Sequence, residues 1–91
     1  MRLDLFLKAS RLISRRTLAQ KLCDAARVSL NGKTAKSSYA VKVGDEICIR
    51  HHNKLTTVRV LAVPAARQTS RKEAGALYEL VNEESLDEAE L

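Results

Sequence analysis

The chain has 91 residues and a net charge of +5, with 45% hydrophobic but only 3% aromatic residues. That length leaves room for one domain with one modest, largely aliphatic core. No apolar run is long enough to span a bilayer, and Met1-Arg2-Leu3-Asp4 meets a charge too early for a secretory leader, so a cytoplasmic protein without membrane association is expected.

In chain order, residues 3–12 read as a short amphipathic helix, with Leu3, Phe6 and Leu7 on one face and Asp4, Lys8 and Arg11 on another. Ser14 is the expected N-cap of a second helix, Ile13 can staple onto Leu18, and Leu18, Ala19, Leu22, Cys23 and Ala26 form the apolar stripe of a helix running to about Ala26. The period then becomes alternating. Val28-Ser29-Leu30, Asn31-Gly32 and Lys33-Thr34-Ala35 read as a tight hairpin. Val43-Gly44-Asp45 reads as a turn, and Glu46 to Arg50 as a strand with Ile47 and Ile49 inward. His52-Asn53-Lys54 turns the chain into a strand from Leu55 to Val63 that buries Val58, Val60 and Ala62 and ends at Pro64. Residues 65–72 form a basic connector, and Ser70 can cap a helical turn over Arg71 to Ala76. Leu77 to Val81 can extend that helix or return as an edge strand, and the strand is the expected reading. Residues 1–81 are therefore expected as one α+β domain: two short N-terminal helices packed on a small, twisted antiparallel sheet of four to five strands. Residues 82–91 are expected to be an acidic, disordered tail.

Charge is distributed unevenly. All 16 Lys and Arg lie within residues 1–72 against four acids, a net of +12, whereas residues 73–91 carry seven acids and no base. A body this basic is suited to a polyanion, because each contacted phosphate releases counterions. The most informative residues are Arg15 and Arg16 at the start of the second helix. Cations there oppose the helix dipole at a cost of roughly 0.3–1 kcal/mol each, yet beside exposed amides they form a phosphate-binding arrangement. Arg2, Lys8 and Arg11 extend the basic surface, and Asp4 is the only acid among residues 1–23. Lys33, Lys36 and Lys42 can form a second wall, or simply guard strand edges.

Other chemistries lack their residues. Cys23 and Cys48 are too distant to read as a disulfide framework, and with His51 and His52 they have no metal-ligand spacing. No nucleophile–base arrangement or Gly-rich phosphate loop occurs, so neither catalysis nor a cofactor or metal is expected. Tyr39 and Tyr78 are read as packing residues.

Arg2-Leu3-Asp4 with Phe6-Leu7, Ser14-Arg15-Arg16 with Ala19 and Leu22, Val28 to Lys33, and Val43 to Ile47 together resemble the S4 RNA-binding domain over residues 1–50. The resemblance implies that two helices and the following hairpin grip structured RNA. With Arg71-Lys72-Glu73-Ala74 and Ala76-Leu77-Tyr78, the chain is similar to the stand-alone RqcP group and to the heat-shock S4 proteins. That similarity implies binding to ribosomal RNA of the large subunit and to tRNA, in quality control of stalled subunits, assisting an RqcH-type factor in alanine tailing. A heat-shock-type factor that recycles blocked subunits, and an adaptor whose basic face meets an acidic protein, remain alternatives. The candidate RNA-binding residues are Arg2, Lys8, Arg11, Ser14, Arg15, Arg16, Thr17, Gln20, Lys33, Lys36 and Lys42, in a protein expected to be monomeric. The acidic ending is not part of the shared motif.

Overall fold

A computed structural model describes residues 1–65 and 69–85. Two helices open the chain, α1 (Leu3–Ala9) and α2 (Arg16–Asp24). The strands β1 (Val28–Leu30), β2 (Lys33–Thr34), β3 (Glu46–His51) and β4 (Lys54–Val60) follow, then a short helix α3 (Arg71–Gly75) and a last strand β5 (Tyr78–Ser85). The five strands form one antiparallel sheet in the order β2-β1-β3-β4-β5. The α+β architecture is the one expected.

Turn chemistry sets the sheet register. Asn31 and Gly32 both have positive φ, +53° and +86°, as a two-residue hairpin requires. His52 and Asn53 do the same between β3 and β4, at +54° and +56°. The Asn31 side chain also ties two turns together. Its Nδ2 donates to Asp45 Oδ1 at 3.0 Å, and its Oδ1 accepts from the Glu46 amide at 2.9 Å.

Leu3, Phe6 and Leu7 of α1 and Val28, Ile47, Val58 and Val60 of the sheet are essentially inaccessible to solvent. Ala19, Leu22 and Cys23 of α2 and Leu77 complete the same core. Burial of each large apolar side chain contributes ~1.5–3 kcal/mol, so the short helices owe their stability to this packing rather than to their length.

Several local expectations are corrected. Neither helix reaches its expected end. α1 stops at Ala9, and Arg11 beyond it adopts φ +61°. α2 stops at Asp24 because Ala26 takes φ +59°, letting the Arg27 amide donate to Leu22 O at 2.9 Å and the Ala26 amide to Cys23 O at 3.0 Å. Ser14 is not the N-cap of α2. Arg15 holds that position without a side-chain cap bond, since the loop that carries Ile13 into the core leaves Ser14 exposed one residue too early. Leu18 thus falls at the third helical position, where it packs against the core that holds Ile13.

β4 ends at Val60, and Ala62 is exposed rather than buried. Ser70 does cap α3, accepting from the Glu73 amide at 3.1 Å while Glu73 Oε1 accepts from the Ser70 amide at 3.1 Å. β5 runs on to Ser85, so Asn82 to Ser85 are strand and not tail. Lys54 to Thr57 of β4 present backbone groups that these residues pair in register, and Thr56 donates its hydroxyl to Glu83. Val81 is the extra residue of a bulge opposite Thr57 and Val58. Residues 86–91, the rest of the expected tail, lie outside the described residues.

Candidate nucleic-acid interface

The α1–α2 pair meets around one buried carboxylate. Asp4 lies in the first turn of α1, is 0% exposed, and accepts five hydrogen bonds. Arg2 donates through Nε to Oδ1 at 3.1 Å and through Nη2 to Oδ2 at 3.3 Å. Arg16 donates through Nε to Oδ2 at 3.2 Å, Gln20 through Nε2 to Oδ2 at 2.9 Å, and the Leu5 amide to Oδ1 at 2.8 Å. Burial on its own would raise the Asp4 carboxyl, but the donors from Gln20, Arg16, Arg2 and Leu5 outweigh it and hold the group below its ordinary value.

This arrangement changes the reading of Arg16. The sequence presents it as a phosphate-binding cation that opposes the helix dipole without an acidic partner, whereas its charge is offset by Asp4, twelve residues earlier. The guanidinium is neither lost to the interior nor loose in solvent: the Arg2 and Arg16 side chains are 44% and 38% exposed. Arg16 engages only Nε, so both terminal nitrogens have no protein partner among the described residues. Two such N–H groups on a fixed plane match the oxygens of a phosphate. Asp4 therefore sets the geometry of two arginines while the trio keeps a net positive charge.

The other candidates divide into groups. Ser14, Arg15 and Thr17 are exposed around the start of α2, flanking Arg16 in the chain. Lys8 is half-buried on α1, and Gln20 commits its amide nitrogen to Asp4. Arg11 does not join this cluster. It lies past the opposite end of α1, donates through Nη2 to Thr69 O at 3.1 Å, and shares a hollow with His51, His52 and Lys54. The Thr69 hydroxyl in turn donates to Ala9 O at 2.6 Å, tethering the connector to α1.

Lys33 and Lys36 line a groove beside the β1–β2 hairpin. Lys42 is exposed, and its amide donates to Asp45 Oδ2 at 2.8 Å. The groove is joined to the arginine cluster by backbone. The Leu3 amide donates to Tyr39 O at 2.7 Å, the Asp4 amide to Ser37 O at 3.1 Å, and Arg2 forms an antiparallel bridge with Ala40. Tyr39, read from the sequence as a packing residue, is 38% exposed; Tyr78 does pack against the core.

Sequence reasoning missed Asp4 as the hub and the 37–40 segment as its neighbour. The available signal was a single acid placed among the basic residues of positions 1–23.

Among the described residues, no group of three or more His, Cys, Asp or Glu is placed to hold a metal ion. Cys23 and Cys48 are free thiols. Burial, then the charges of Asp4 and Asp24, push the Cys23 thiol up to about 11, which makes it a core residue rather than a nucleophile. No helix among the described residues is long and apolar enough to cross a membrane.

A basic helix pair with a carboxylate-anchored pair of arginines, followed by a hairpin on a small sheet, defines an RNA-binding domain class, and the S4 domain profile matches residues 1–47. The chain belongs to the S4 domain family and, within it, to the family of the relatives called RQC P-site tRNA stabilizing factor. The relative from Halalkalibacterium halodurans is 50% identical over 99% of this chain and 100% of its own length. That from Bacillus subtilis is 49% identical over 97% of this chain and 100% of its own. Among solved structures, trimeric heat shock protein 15 of Vibrio cholerae superposes with a TM-score of 0.79 at 32% identity, covering 88% of this chain and 80% of that one. The solution structure of a hypothetical protein gives 0.78 at 34% identity, covering 90% and 98%.

Proposed function

We propose that this protein binds large ribosomal subunits that hold a tRNA in the P site, and stabilises that tRNA during ribosome-associated quality control. The observation that carries the reading is the Arg2–Asp4–Arg16 cluster beside exposed Arg15, in a chain whose full-length relatives bear the name of a P-site tRNA stabilizing factor.

Arg16, Arg2 and Arg15 meet RNA phosphates on the α1–α2 face, with Ser14, Thr17, Lys8 and Gln20 around them. Lys33, Lys36 and Lys42 form the second wall, and Arg11 a separate contact at the far end of α1. The contribution is binding and positioning without catalysis, by a monomer in the cytoplasm. An RqcH-type factor that extends stalled chains with alanine is the protein partner this reading implies. The similarity to heat shock protein 15 favours, as a second reading, recycling of blocked subunits by the same face.

Co-sedimentation with large subunits across a salt series, with and without prior ribonuclease treatment, tests the proposal. Binding should fall with a log–log slope of ~0.7–0.9 per phosphate contacted and disappear with the RNA. Salt-independent pelleting that survives ribonuclease would instead identify a protein-binding adaptor.

A further inference from the structure

The groove between the β1–β2 hairpin and the segment leading to Tyr39 holds Lys33 and Lys36 of the second wall, together with an aromatic ring and apolar surface that phosphate contacts leave unused. It encloses about 670 Å³, within the ~300–1,000 Å³ typical of small-molecule sites. Buried Leu30 and Ala35 contribute apolar surface, Lys33 and Lys36 supply two ammonium groups, and Tyr39 closes one side. No carboxylate lines it.

We propose that this groove is a subsite for one unpaired nucleotide of the bound RNA, its base stacked on the Tyr39 ring and its phosphate held by Lys33 and Lys36. The inference rests on the RNA-binding reading above and goes beyond it by assigning a base contact.

Three observations favour a nucleotide over other occupants. The lining pairs a part-exposed aromatic ring and apolar surface with two lysines, the neutral Asn31, Thr34 and Ser38, and no acid, a combination suited to a planar base carrying an anion. Tyr39 is held on a fixed backbone, its amide donating to Lys36 O at 3.0 Å and its carbonyl accepting from Leu3 at 2.7 Å, while its hydroxyl has no partner among the described residues. The segment that carries Tyr39 is also bonded directly to the start of the arginine cluster, through the Arg2–Ala40 bridge. RNA held by Arg2 and Arg16 on the proposed face therefore leads toward the groove. An acidic peptide would use the lysines but would leave the ring and the apolar surface without a matching group.

The test uses the full chain in two measurements. In the first, NMR titrations compare uridine and adenosine 5′-monophosphates with inorganic phosphate and a poly-glutamate peptide. Either mononucleotide should shift the Tyr39 ring and the Ala35 and Lys36 amides saturably, whereas phosphate and the peptide should move the lysines only. A Tyr39 ring silent to both mononucleotides, or one that responds equally to poly-glutamate, would overturn the proposal.

In the second, Tyr39→Ala should weaken binding to large subunits about tenfold, equivalent to ~1.4 kcal/mol, within the range of base–aromatic stacking. Tyr39→Phe keeps the ring and should bind and melt as wild type; Tyr39→Ala gives up the packing of a ring that is only 38% exposed, so its affinity is read at a temperature where melts show it folded. Wild-type affinity for Tyr39→Ala, beside a loss for Arg16→Ala, would sink the subsite and leave the RNA-binding reading intact. Failure of the wild-type protein to bind subunits would sink that reading, and the mononucleotide titration would still decide the groove.

Discussion

Replacing Asp4 by Asn keeps the shape of the side chain and removes its charge, which separates simple electrostatics from preorganisation. Asn retains one acceptor. With its oxygen in the Oδ1 position it keeps the bonds from Arg2 Nε and Leu5, but its NH₂ then faces Arg2 Nη2, Arg16 Nε and Gln20 Nε2, all donors. A hydrogen bond to a charged group contributes ~1.5–3 kcal/mol. Both arginines are about two-fifths exposed and regain water, so each of the three lost bonds counts nearer the ordinary net value of ~0.5–1 kcal/mol and the total loss should be about 2–3 kcal/mol. For a domain of this size that corresponds to a fall in Tm of roughly 10–20 °C.

The pH dependence follows from the same group. The folded carboxyl titrates below its ordinary value of 3.8, so its stabilisation is complete above that value and is lost as pH falls through the lower, folded pKa. Asp4→Asn should lack this acid-dependent component. Counting charges alone predicts tighter RNA binding, because the variant gains a net positive charge. Loss of the fixed arginine geometry predicts weaker binding instead. Thermal melts and subunit titrations, performed at a temperature where both proteins are folded, read the two quantities. An unchanged Tm together with equal or tighter binding would refute the role given to Asp4.

Arg16→Ala should lower both stability, by about 1–2 kcal/mol, and subunit affinity, since one guanidinium serves Asp4 and the phosphate; a melt at the wild-type temperature would show that its ion pair contributes nothing. Ala26→Gly should stabilise by ~0.5–1 kcal/mol, as glycine accepts φ +59° without the penalty of a Cβ, and a denaturant midpoint at or below wild type would contradict this. In the native protein Cys23 should resist alkylation at pH 8, where a buried thiol pushed up to about 11 holds its proton; rapid labelling of Cys23 without unfolding would mean that the core opens there.

Much of the fold was legible because its local signals are unambiguous. Asn31-Gly32 requires two positive φ angles and obtains them, and Ser70 with Glu73 closes a reciprocal cap. Boundaries were less legible where the chain breaks a rule under tertiary control. Ala26 ends α2 in a left-handed conformation without glycine, and Arg15 rather than Ser14 occupies the cap of α2. Acidity suggested disorder from Asn82, yet the open edge of β4 recruits Asn82 to Ser85 into the sheet. At the site, the sequence singled out Arg2 and Arg16 but not their common partner. An i,i+12 contact such as Arg16 with Asp4 depends on how α1 and α2 pack, which helical periodicity within either segment does not specify.

The most direct test compares the affinity of the protein for large subunits that carry peptidyl-tRNA in the P site and for the same subunits emptied of tRNA, with Arg16→Ala in parallel. The account predicts tighter binding of wild type to tRNA-bearing subunits and a loss of affinity for both in Arg16→Ala. Equal wild-type affinity for the two kinds of subunit, or an Arg16→Ala protein that binds both like wild type, would contradict it.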